Sequence, residues 1–488
     1  MRKLRLLIAT AFVLIAGFTI VLTARYVPIE SPVAPAADVV VPVRAAERLA
    51  SAIRFRTISA DDAEAFDGAA FAALHGYLQT AFPLVHSRLQ RESVGGHSLL
   101  YTWQGTDRTL KPILLAGHLD VVPVEPGTRD QWDHEPFSGH ISDGYIWGRG
   151  AIDNKATVLG TLEAIEMLLG EGFRPARTVY LAYGHDEEVG GIQGAREIAK
   201  LLERRGVELE MVLDEGGVIG NAVLPGIATP VALVGIAEKG FLTVEVSARV
   251  PGGHSSLPPR QGAIGIVSAA VAKLDENPMP ARLERPTQEL FNEIGPRFRL
   301  AQRAAFANLW LTRSLVTRQL ENRPITNAMV RTTTAPTMFY AGAKDNVLPS
   351  YARAVINFRI LPGDSIATVV EHVKRVVNDD RVEVKIAGRF SAEPSAVSST
   401  TSNAFRMLER SIRRVASDVV VAPYLVVVVT DARHYGNLSG NIFRFLPLRL
   451  RSEDLERMHG IDERIGINGY EAAIRTYRQI VIGSAAPP

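Results

Sequence analysis

Side chains that can bind metal ions follow apolar segments at several places in this sequence, each where the segment runs into glycine. The segment 114–117 is followed by His118, with Asp120 two residues later, and the segment 177–184 is followed by His185 and three carboxylates. In an open α/β sheet, ligands and metals collect at the carboxyl ends of the strands. This series therefore favours a fold in which several strands end at one edge of a sheet.

The segments between these residues alternate between strand and helix patterns. Strand patterns lie at 98–103, 112–116, 177–184 and 207–213, and helix patterns lie at 45–55, 68–81, 154–170 and 193–205. Such alternation predicts an α/β fold with a mainly parallel sheet that is covered by helices on both faces. A chain of 488 residues is also too long for one ordinary core, so two folded units are expected.

The pattern changes near Glu238. The segment 242–250 alternates apolar and polar residues, as a half-exposed strand does, and an irregular, partly helical stretch extends to about 336. We predict an inserted α+β domain at 237–388. The flanking segments 44–236 and 389–488 then form the first, α/β domain.

The N-terminus carries a membrane signal. Basic residues within the first five positions precede an uncharged run, 6–24, which is long enough to cross a hydrocarbon core of ~30 Å as a helix. Because the basic residues come first, this transmembrane helix (1–25) would keep its start in the cytoplasm and export the rest of the chain. The alternative is a cleaved signal peptide, which would release a secreted protein. Residues 26–43 are rich in Pro, Ala and Val and are predicted to be a linker.

The composition of the chain limits its partners and the residue types that could bind a metal. The formal net charge is only +2 and there is no long basic run, which argues against nucleic acid as a partner. Cysteine is absent, so any metal must be held by His, Asp and Glu. Nitrogen and oxygen ligands of this kind suit zinc, with cobalt or manganese as substitutes.

Each candidate ligand also has an ordinary structural interpretation. His118 and Asp120 face the same way on an extended strand, so Asp120 can orient a ligating imidazole or make a purely structural hydrogen bond. Asp153 precedes a helix and would serve there as an N-cap. Glu187 and Glu188 follow a strand, where two surface charges are the default.

Two further strand ends complete the series. Asp214 and Glu215 end an apolar strand, and because neighbouring residues point to opposite faces only one of them is expected to bind metal. His434 follows the most apolar strand of the chain, 424–429.

The combination of motifs resembles a known family. The chain resembles zinc metallopeptidase family 20 in the segments 117–123, 148–155, 187–191, 214–216 and 253–256. Within that family it looks most like the carboxypeptidase S and N-fatty-acyl-amino-acid hydrolase branch. The resemblance extends from Val43 to the C-terminus.

The resemblance implies two zinc ions per subunit and a set of ligands. These are His118, Asp153, Glu188, His434, and either Asp214 or Glu215, with Asp214 favoured. Asp153 would bridge the ions, and His118 and His434 would bind one each. Glu187 would act as the general base on the attacking water, and Asp120 would orient His118.

The resemblance also implies roles in the inserted domain. His254 would stabilise an oxyanion in an active site, often that of a partner subunit, and Arg359 would grip a substrate carboxylate. Without the resemblance, the favoured interpretation is that Arg359 forms a salt bridge on the face of a strand. Asn327 is a further candidate polar contact. By the same resemblance, 44–236 and 389–488 would form the catalytic dizinc domain, and 237–388 would be a lid or dimerisation domain through which the protein forms a homodimer.

The implied function is zinc-dependent hydrolysis of an amide or peptide bond adjacent to a free carboxylate. The enzyme would be a carboxypeptidase or an N-acyl-amino-acid amidohydrolase acting on small molecules or peptides. The alternative is a catalytically silent family member that binds metal and serves as a binding protein. The apolar helical stripe within 277–336, which includes Trp310, Leu311 and Leu315, indicates either core packing or a channel for an acyl chain.

Overall fold

The protein is described by a computed structural model that covers residues 2–28, 32–59, 66–220, 227 and 229–485. Positions 29–31 of the predicted linker lie outside the described residues. The helices are α1 (Arg2–Arg25), α2 (Arg44–Ile53), α3 (Gly68–Ala81), α4 (Pro83–Arg88), α5 (Lys155–Gly170), α6 (Ala195–Arg204), α7 (Ala263–Glu276), α8 (Arg285–Ile294), α9 (Leu300–Ala307), α10 (Leu309–Leu320), α11 (Pro324–Ala328), α12 (Ile366–Val377), α13 (Asn403–Val415), α14 (Ser452–Arg457) and α15 (Ile467–Ala485).

The strands are β1 (Gln90–Val94), β2 (Ser98–Trp103), β3 (Ile113–His118), β4 (His140–Ser142), β5 (Tyr145–Trp147), β6 (Val179–Gly184), β7 (Met211–Asp214), β8 (Ile219–Gly220), β9 (Val231–Glu238), β10 (Gly240–Arg249), β11 (Gly253–His254), β12 (Thr333–Ala341), β13 (Val347–Leu348), β14 (Tyr351–Ile360), β15 (Val382–Ala392), β16 (Val420–Val426), β17 (Ile442–Arg444), β18 (Arg449–Leu450) and β19 (Arg464–Gly466).

The largest sheet has ten strands in the order β1-β2-β6-β3-β7-β17-β9-β8-β18, with β16 paired to β9. Its centre is parallel, since β3 runs parallel to both β6 and β7, and β7 runs parallel to β17. Strands β2 and β9 join the centre in antiparallel fashion. The prediction of an α/β fold with a mainly parallel central sheet is confirmed.

Strand β3 shows why the sheet is covered on both faces. All six of its residues are buried, as is typical of a central parallel strand. Leu114 and Ala116 belong to a buried cluster with Ile198 of α6. Gly117 points the other way, towards α5, where a Cβ would lie 3.2 Å from the Cγ2 atom of Thr157. The glycine therefore permits the start of α5 to approach the end of β3 closely.

The described residues form two compact units. One comprises the described residues within 28–236, 398–424 and 430–485 and is built around the large sheet; the other comprises 2–27, 237–397 and 425–429. The second unit holds a four-stranded sheet in the order β12-β14-β10-β15. Every second residue of β14 is buried, and these residues pack with the apolar faces of α7 and α12.

Two features of this second unit differ from the sequence pattern. Strand β12 occupies part of the stretch that was expected to be irregular, and its register against β14 shifts between Pro336 and Met338. A proline is tolerated in a strand at such an irregularity or at a sheet edge, and β12 is an edge strand. Helix α1 is part of the same unit, and it is long and apolar enough to cross a membrane.

Candidate metal centre

Three neighbouring parallel strands end at the same edge of the large sheet. His118 is the last residue of β3 and lies opposite Gly184, the last residue of β6. Strand β7, on the other side of β3, ends at Asp214. The residues that follow these strands, Glu187 and Glu188 after β6 and Glu215 after β7, are thereby brought to one place.

His118 lies at the centre of this cluster. Its side chain is buried, and its Nε2 atom lies 2.9 Å from Asp153 Oδ1 and 3.2 Å from Glu215 Oε1. Its Nδ1 atom faces Asp120, 3.0 Å from the backbone oxygen and 3.3 Å from Oδ1. A proton on Nδ1 satisfies Asp120 and leaves the Nε2 lone pair for a metal, which is the usual arrangement of a ligating histidine.

A second histidine completes the cluster from the opposite side of Asp153. His459 Nε2 lies 3.1 Å from Asp153 Oδ2 and 3.3 Å from Glu188 Oε2. One oxygen of Asp153 therefore belongs to a group with His118 and Glu215, and the other belongs to a group with His459 and Glu188. This is the geometry expected of a carboxylate that bridges two ions.

The electrostatics of the cluster favour bound cations. Among the described residues Glu188 Oε1 is buried with no hydrogen-bond partner, which leaves a buried carboxylate oxygen unsatisfied. Burial, with the charge of Asp153, raises the pKa of Glu215 to about 7. Hydrogen bonds to Asp153 and Glu188 raise the pKa of His459 to about 10. The negative charge that favours a proton there also favours a divalent ion, so the residues present fit a metal centre.

Glu187 lies within the same cluster but has a different environment. Its carboxylate oxygen lies within 4.8 Å of ligand atoms of His118 and Glu215. Burial raises the pKa of Glu187 well above its ordinary value, and the nearby carboxylates of Asp431 and Glu215 raise it further. A buried carboxylate with a raised pKa beside a metal site is suited to accept a proton near neutral pH.

Asp120 organises the edge more widely than the sequence indicated. Its Oδ1 accepts a hydrogen bond from the backbone N–H of Glu187 at 3.2 Å, and its Oδ2 accepts one from the N–H of Glu188 at 3.1 Å. The hydroxyl of Ser59 donates to the same Oδ2. One buried carboxylate thus fixes the ring of His118 and the backbone of both glutamates.

A buried ion pair fixes the two segments that supply Asp153 and His459. Arg149 Nη1 donates to Glu463 Oε2 at 2.7 Å, and its Nη2 donates to the backbone oxygen of His459 at 3.0 Å. Glu463 Oε1 accepts hydrogen bonds from the backbone N–H groups of Ile152 and Asp153. The pair is almost wholly inaccessible to solvent, with 2% and 0% of the two side chains exposed.

We expect Glu463→Gln to lower the free energy of unfolding by about 3–5 kcal/mol, because it leaves the buried charge of Arg149 uncompensated. It should also weaken metal binding by about 10–100-fold, the usual effect of losing a residue that supports a ligand. Urea denaturation and metal titration measure the two effects. Glu197→Gln is the control, since the exposed Glu197–Lys200 pair contributes about 0.5 kcal/mol or less. If the two variants are equally stable, Glu463 does not have this structural role.

The structure does not bring two of the sequence candidates to the cluster. His434 Nε2 lies 3.1 Å from the backbone oxygen of Gly190, and burial lowers the pKa of His434 to about 4. The carboxylate of Asp214 accepts a hydrogen bond from the N–H of Glu215, and Glu215 is the one that reaches His118. The structure thus brings His459 and Glu215 to the cluster, where the resemblance had implied His434 and favoured Asp214 over Glu215. Sequence reasoning missed His459 altogether.

The remaining candidates lie in the unit that contains the insert. His254 Nδ1 accepts a hydrogen bond from the N–H of Ser256, so the ring proton is on Nε2, where it is available as a donor. Arg359 stacks over the ring of Phe241 at 4.7 Å, and within the described ranges no carboxylate forms an ion pair with it. Asn327 Oδ1 accepts a hydrogen bond from Arg331.

Comparisons with known proteins identify what the chain is similar to. The model of the family described as Peptidase family M20/M25/M40 matches residues 114–482. Carboxypeptidase S-like 2 of Dictyostelium discoideum is 46% identical over 443 residues, which cover 90% of this chain and 85% of that protein. An N-fatty-acyl-amino acid synthase/hydrolase of Xenopus tropicalis is 41% identical over 441 residues, with 90% and 85% covered.

A solved structure shows the same fold. The M20 family metallo-carboxypeptidase of Sulfolobus solfataricus gives a TM-score of 0.66 at 19% sequence identity, and the alignment covers 91% of this chain and 100% of that one. The range matched by the family model contains the entire cluster from His118 to His459.

Proposed function

This chain belongs to peptidase family M20/M25/M40, as its motifs predicted, and we propose that it hydrolyses an amide or peptide bond adjacent to a free carboxylate. The observation that carries the proposal is the sharing of Asp153, whose two oxygens face His118 on one side and His459 on the other. Glu187 lies beside this pair of groups. The relatives are named as a carboxypeptidase and an N-fatty-acyl-amino acid hydrolase, and both names support cleavage of an amide or peptide bond of this type.

We propose two zinc ions as the cofactor. The ligands would be His118 and Glu215 for one ion and His459 and Glu188 for the other, with Asp153 shared. All are nitrogen or oxygen donors of the kind that zinc binds. Bound at this centre, such ions would polarise the scissile carbonyl and lower the pKa of a water molecule.

The residues of the chain then have distinct tasks. Glu187 takes the proton of the attacking water and returns it to the departing amine nitrogen. Asp120 holds Glu187 in position through its backbone N–H group. Because Glu187 is buried, its carboxylate is poorly hydrated and a strong base.

Substrate recognition is proposed for the unit that contains the insert. Arg359 would bind the substrate carboxylate by paired hydrogen bonds, for which a planar guanidinium is suited. His254 would donate its Nε2 proton to the oxyanion, and Asn327 would supply a further polar contact. A homodimer is proposed as well, supported by the exposed edge strand β12 with Met338, Phe339 and Tyr340 on its surface. A monomeric mass in light scattering would contradict the dimer.

The carboxylate requirement can be tested with a panel of N-fatty-acyl amino acids, N-acetyl amino acids and dipeptides. We expect Arg359→Met to lower kcat/KM by about 10–100-fold on each accepted substrate, the equivalent of a lost charge-assisted hydrogen bond of ~1.5–3 kcal/mol. In the wild type, kcat/KM should fall by the same factor when the carboxylate of the substrate is amidated. On these amidated substrates the wild type and Arg359→Met should have equal kcat/KM.

Arg353→Met provides a matched control for this experiment. Arg353 lies on the same face of β14 but already pairs with Glu245 at 2.7 Å, so its loss should leave kcat/KM unchanged. Arg359→Met should discriminate between acids and amides less than Arg353→Met does. If the two variants discriminate equally well, the proposed carboxylate contact is wrong. A wild type that turns over none of the three classes would favour the silent binding protein.

We also propose that α1 anchors the protein in a membrane with the catalytic unit exported. Support comes from the uncharged run at 6–24 and from the basic residues that precede it.

A further inference from the structure

Helix α1 packs against the helical layer of its own unit through its last turns. The rings of Phe18 and Trp310 lie 5.6 Å apart, and Asn308, which is fully buried, donates to Thr23 Oγ1 at 3.1 Å. The hydroxyl of Tyr26 donates to the backbone oxygen of Phe291. Helices α9 and α10 therefore lie alongside the last turns of α1.

The same helical layer exposes large apolar side chains. On α10, 53% of Trp310, 56% of Leu311 and 67% of Leu315 are exposed, and α9 and α11 add Leu300 at 66% and Ile325 at 65%. The indole N–H of Trp310 donates to Asn308 Oδ1, so its polar atom is satisfied within the protein and the exposed part of the ring is apolar. Such a surface is costly in water but suits hydrocarbon, where every polar group needs an internal partner.

The position of Trp310 along α1 fixes its depth. Each helical residue rises 1.5 Å, so Phe18, six residues before Ala24, lies about 9 Å inside the hydrocarbon when the run 6–24 spans it. Trp310 contacts Phe18 and must lie at a similar depth. This matches the ~5–10 Å to which amphipathic helices enter a membrane surface.

The charge around this layer is complementary to a lipid surface. The segment 295–323 contains six arginines and one glutamate, whereas the whole chain has a net charge of only +2. Arg318 follows Leu311 and Leu315 on one face of α10, where a long basic side chain can extend to a phosphate headgroup.

We propose that α9, α10 and α11 form a second membrane-embedded element, which lies in the outer leaflet beside the anchor helix. The partner is the lipid bilayer, and the embedded residues are Leu300, Trp310, Leu311, Leu315 and Ile325. This inference rests on the proposed anchor. It holds the insert at the membrane surface, so an apolar substrate can reach the enzyme from the bilayer.

The absence of cysteine from the chain allows a direct test. Full-length protein carrying Leu311→Cys or Leu315→Cys is labelled with a polarity-sensitive fluorophore and reconstituted into vesicles of phosphatidylcholine and phosphatidylglycerol. Quenching is measured with iodide in the water, with lipids that carry a nitroxide near the headgroup, and with lipids that carry it near the methyl end. Val13→Cys in α1 and Glu371→Cys on the exposed surface of α12 are the references.

We expect iodide to quench positions 311 and 315 several-fold less than position 371, and the shallow nitroxide to quench them most. Position 13 should respond to the deep nitroxide. If 13 responds to lipid but 311 and 315 respond to iodide as 371 does, the anchor stands and the second element is disproved. Shielding of 311 and 315 from both iodide and lipid, which indicates a protein contact, also overturns it. A position 13 quenched by iodide disproves the anchor itself and the inference with it.

Discussion

The substitution His459→Gln is expected to abolish stoichiometric binding of one of the two metal ions. His459 is the imidazole that faces Asp153 Oδ2 and Glu188, so glutamine would leave that group with carboxylates alone. The loss of affinity should exceed the ~10–100-fold change seen when a residue that only supports a ligand is altered. Metal content after dialysis, measured by mass spectrometry, should fall from two ions to one, and kcat on an N-acyl amino acid should fall with it.

His434→Gln is the matched control, because it removes an imidazole from a site in the same unit. His434 contacts the backbone oxygen of Gly190, and a glutamine amide can replace that contact. The variant should retain two ions and near-normal turnover. If His434→Gln loses an ion while His459→Gln keeps both, the ligand set that we propose is wrong.

Much of the centre could be predicted because it follows a simple rule of sheet geometry. His118 ends an apolar strand, and Glu187, Glu188 and Glu215 follow apolar strands. The three strands concerned are parallel neighbours. Parallel strands end at the same edge, so residues that are far apart in sequence meet there. Asp153 precedes α5, whose start approaches the end of β3 at Gly117.

His459 could not be found by the same rule, because no apolar strand precedes it. It follows α14, and its position depends on Arg149, which donates hydrogen bonds to the backbone oxygens of His459 and Gly460. Such a long-range contact leaves no periodic pattern in the sequence. The available signal was the local sequence His459-Gly460-Ile461-Asp462-Glu463, a histidine followed by two acids.

His434 was selected because it follows an apolar run that was expected to form a strand to Val429. Strand β16 instead ends at Val426, and the chain then turns into a short 3-10 helix at Asp431–Tyr435. The imidazole consequently points towards Gly190. Apolar content alone did not determine where the strand ends.

The apolar stripe of the insert shows a second limit of sequence patterns. Phe306 stacks on Phe291 at 4.2 Å and Val316 is buried, as core packing predicts. Trp310, Leu311 and Leu315 are exposed instead. Helical periodicity identifies an apolar face, but a face that packs on a core and a face that lies in lipid have the same period.

Glu187→Gln is expected to lower kcat by about 10²–10⁴-fold, the usual contribution of a general base, while both metal ions remain bound. Glutamine has nearly the same shape as glutamate but accepts no proton at neutral pH. The backbone N–H of residue 187 would still donate to Asp120, so the geometry of the edge should be preserved. Metal content and the KM for substrate are expected to change little. In the wild type, kcat should rise with pH as the carboxyl of Glu187 loses its proton, and this limb of the profile should disappear in the variant.

The neighbouring substitution Glu188→Gln separates catalysis from metal binding. Glu188 faces His459 and has a buried oxygen with no hydrogen-bond partner among the described residues, so its loss should weaken metal binding, and excess metal should restore part of the activity. Excess metal should restore nothing in Glu187→Gln, because there the metal is already bound. If Glu187→Gln turns over substrate at the wild-type rate, another group must take the proton. If instead neither the wild type nor the variant turns over any of the three substrate classes although both bind two ions, the protein is a metal-dependent binder and not a hydrolase.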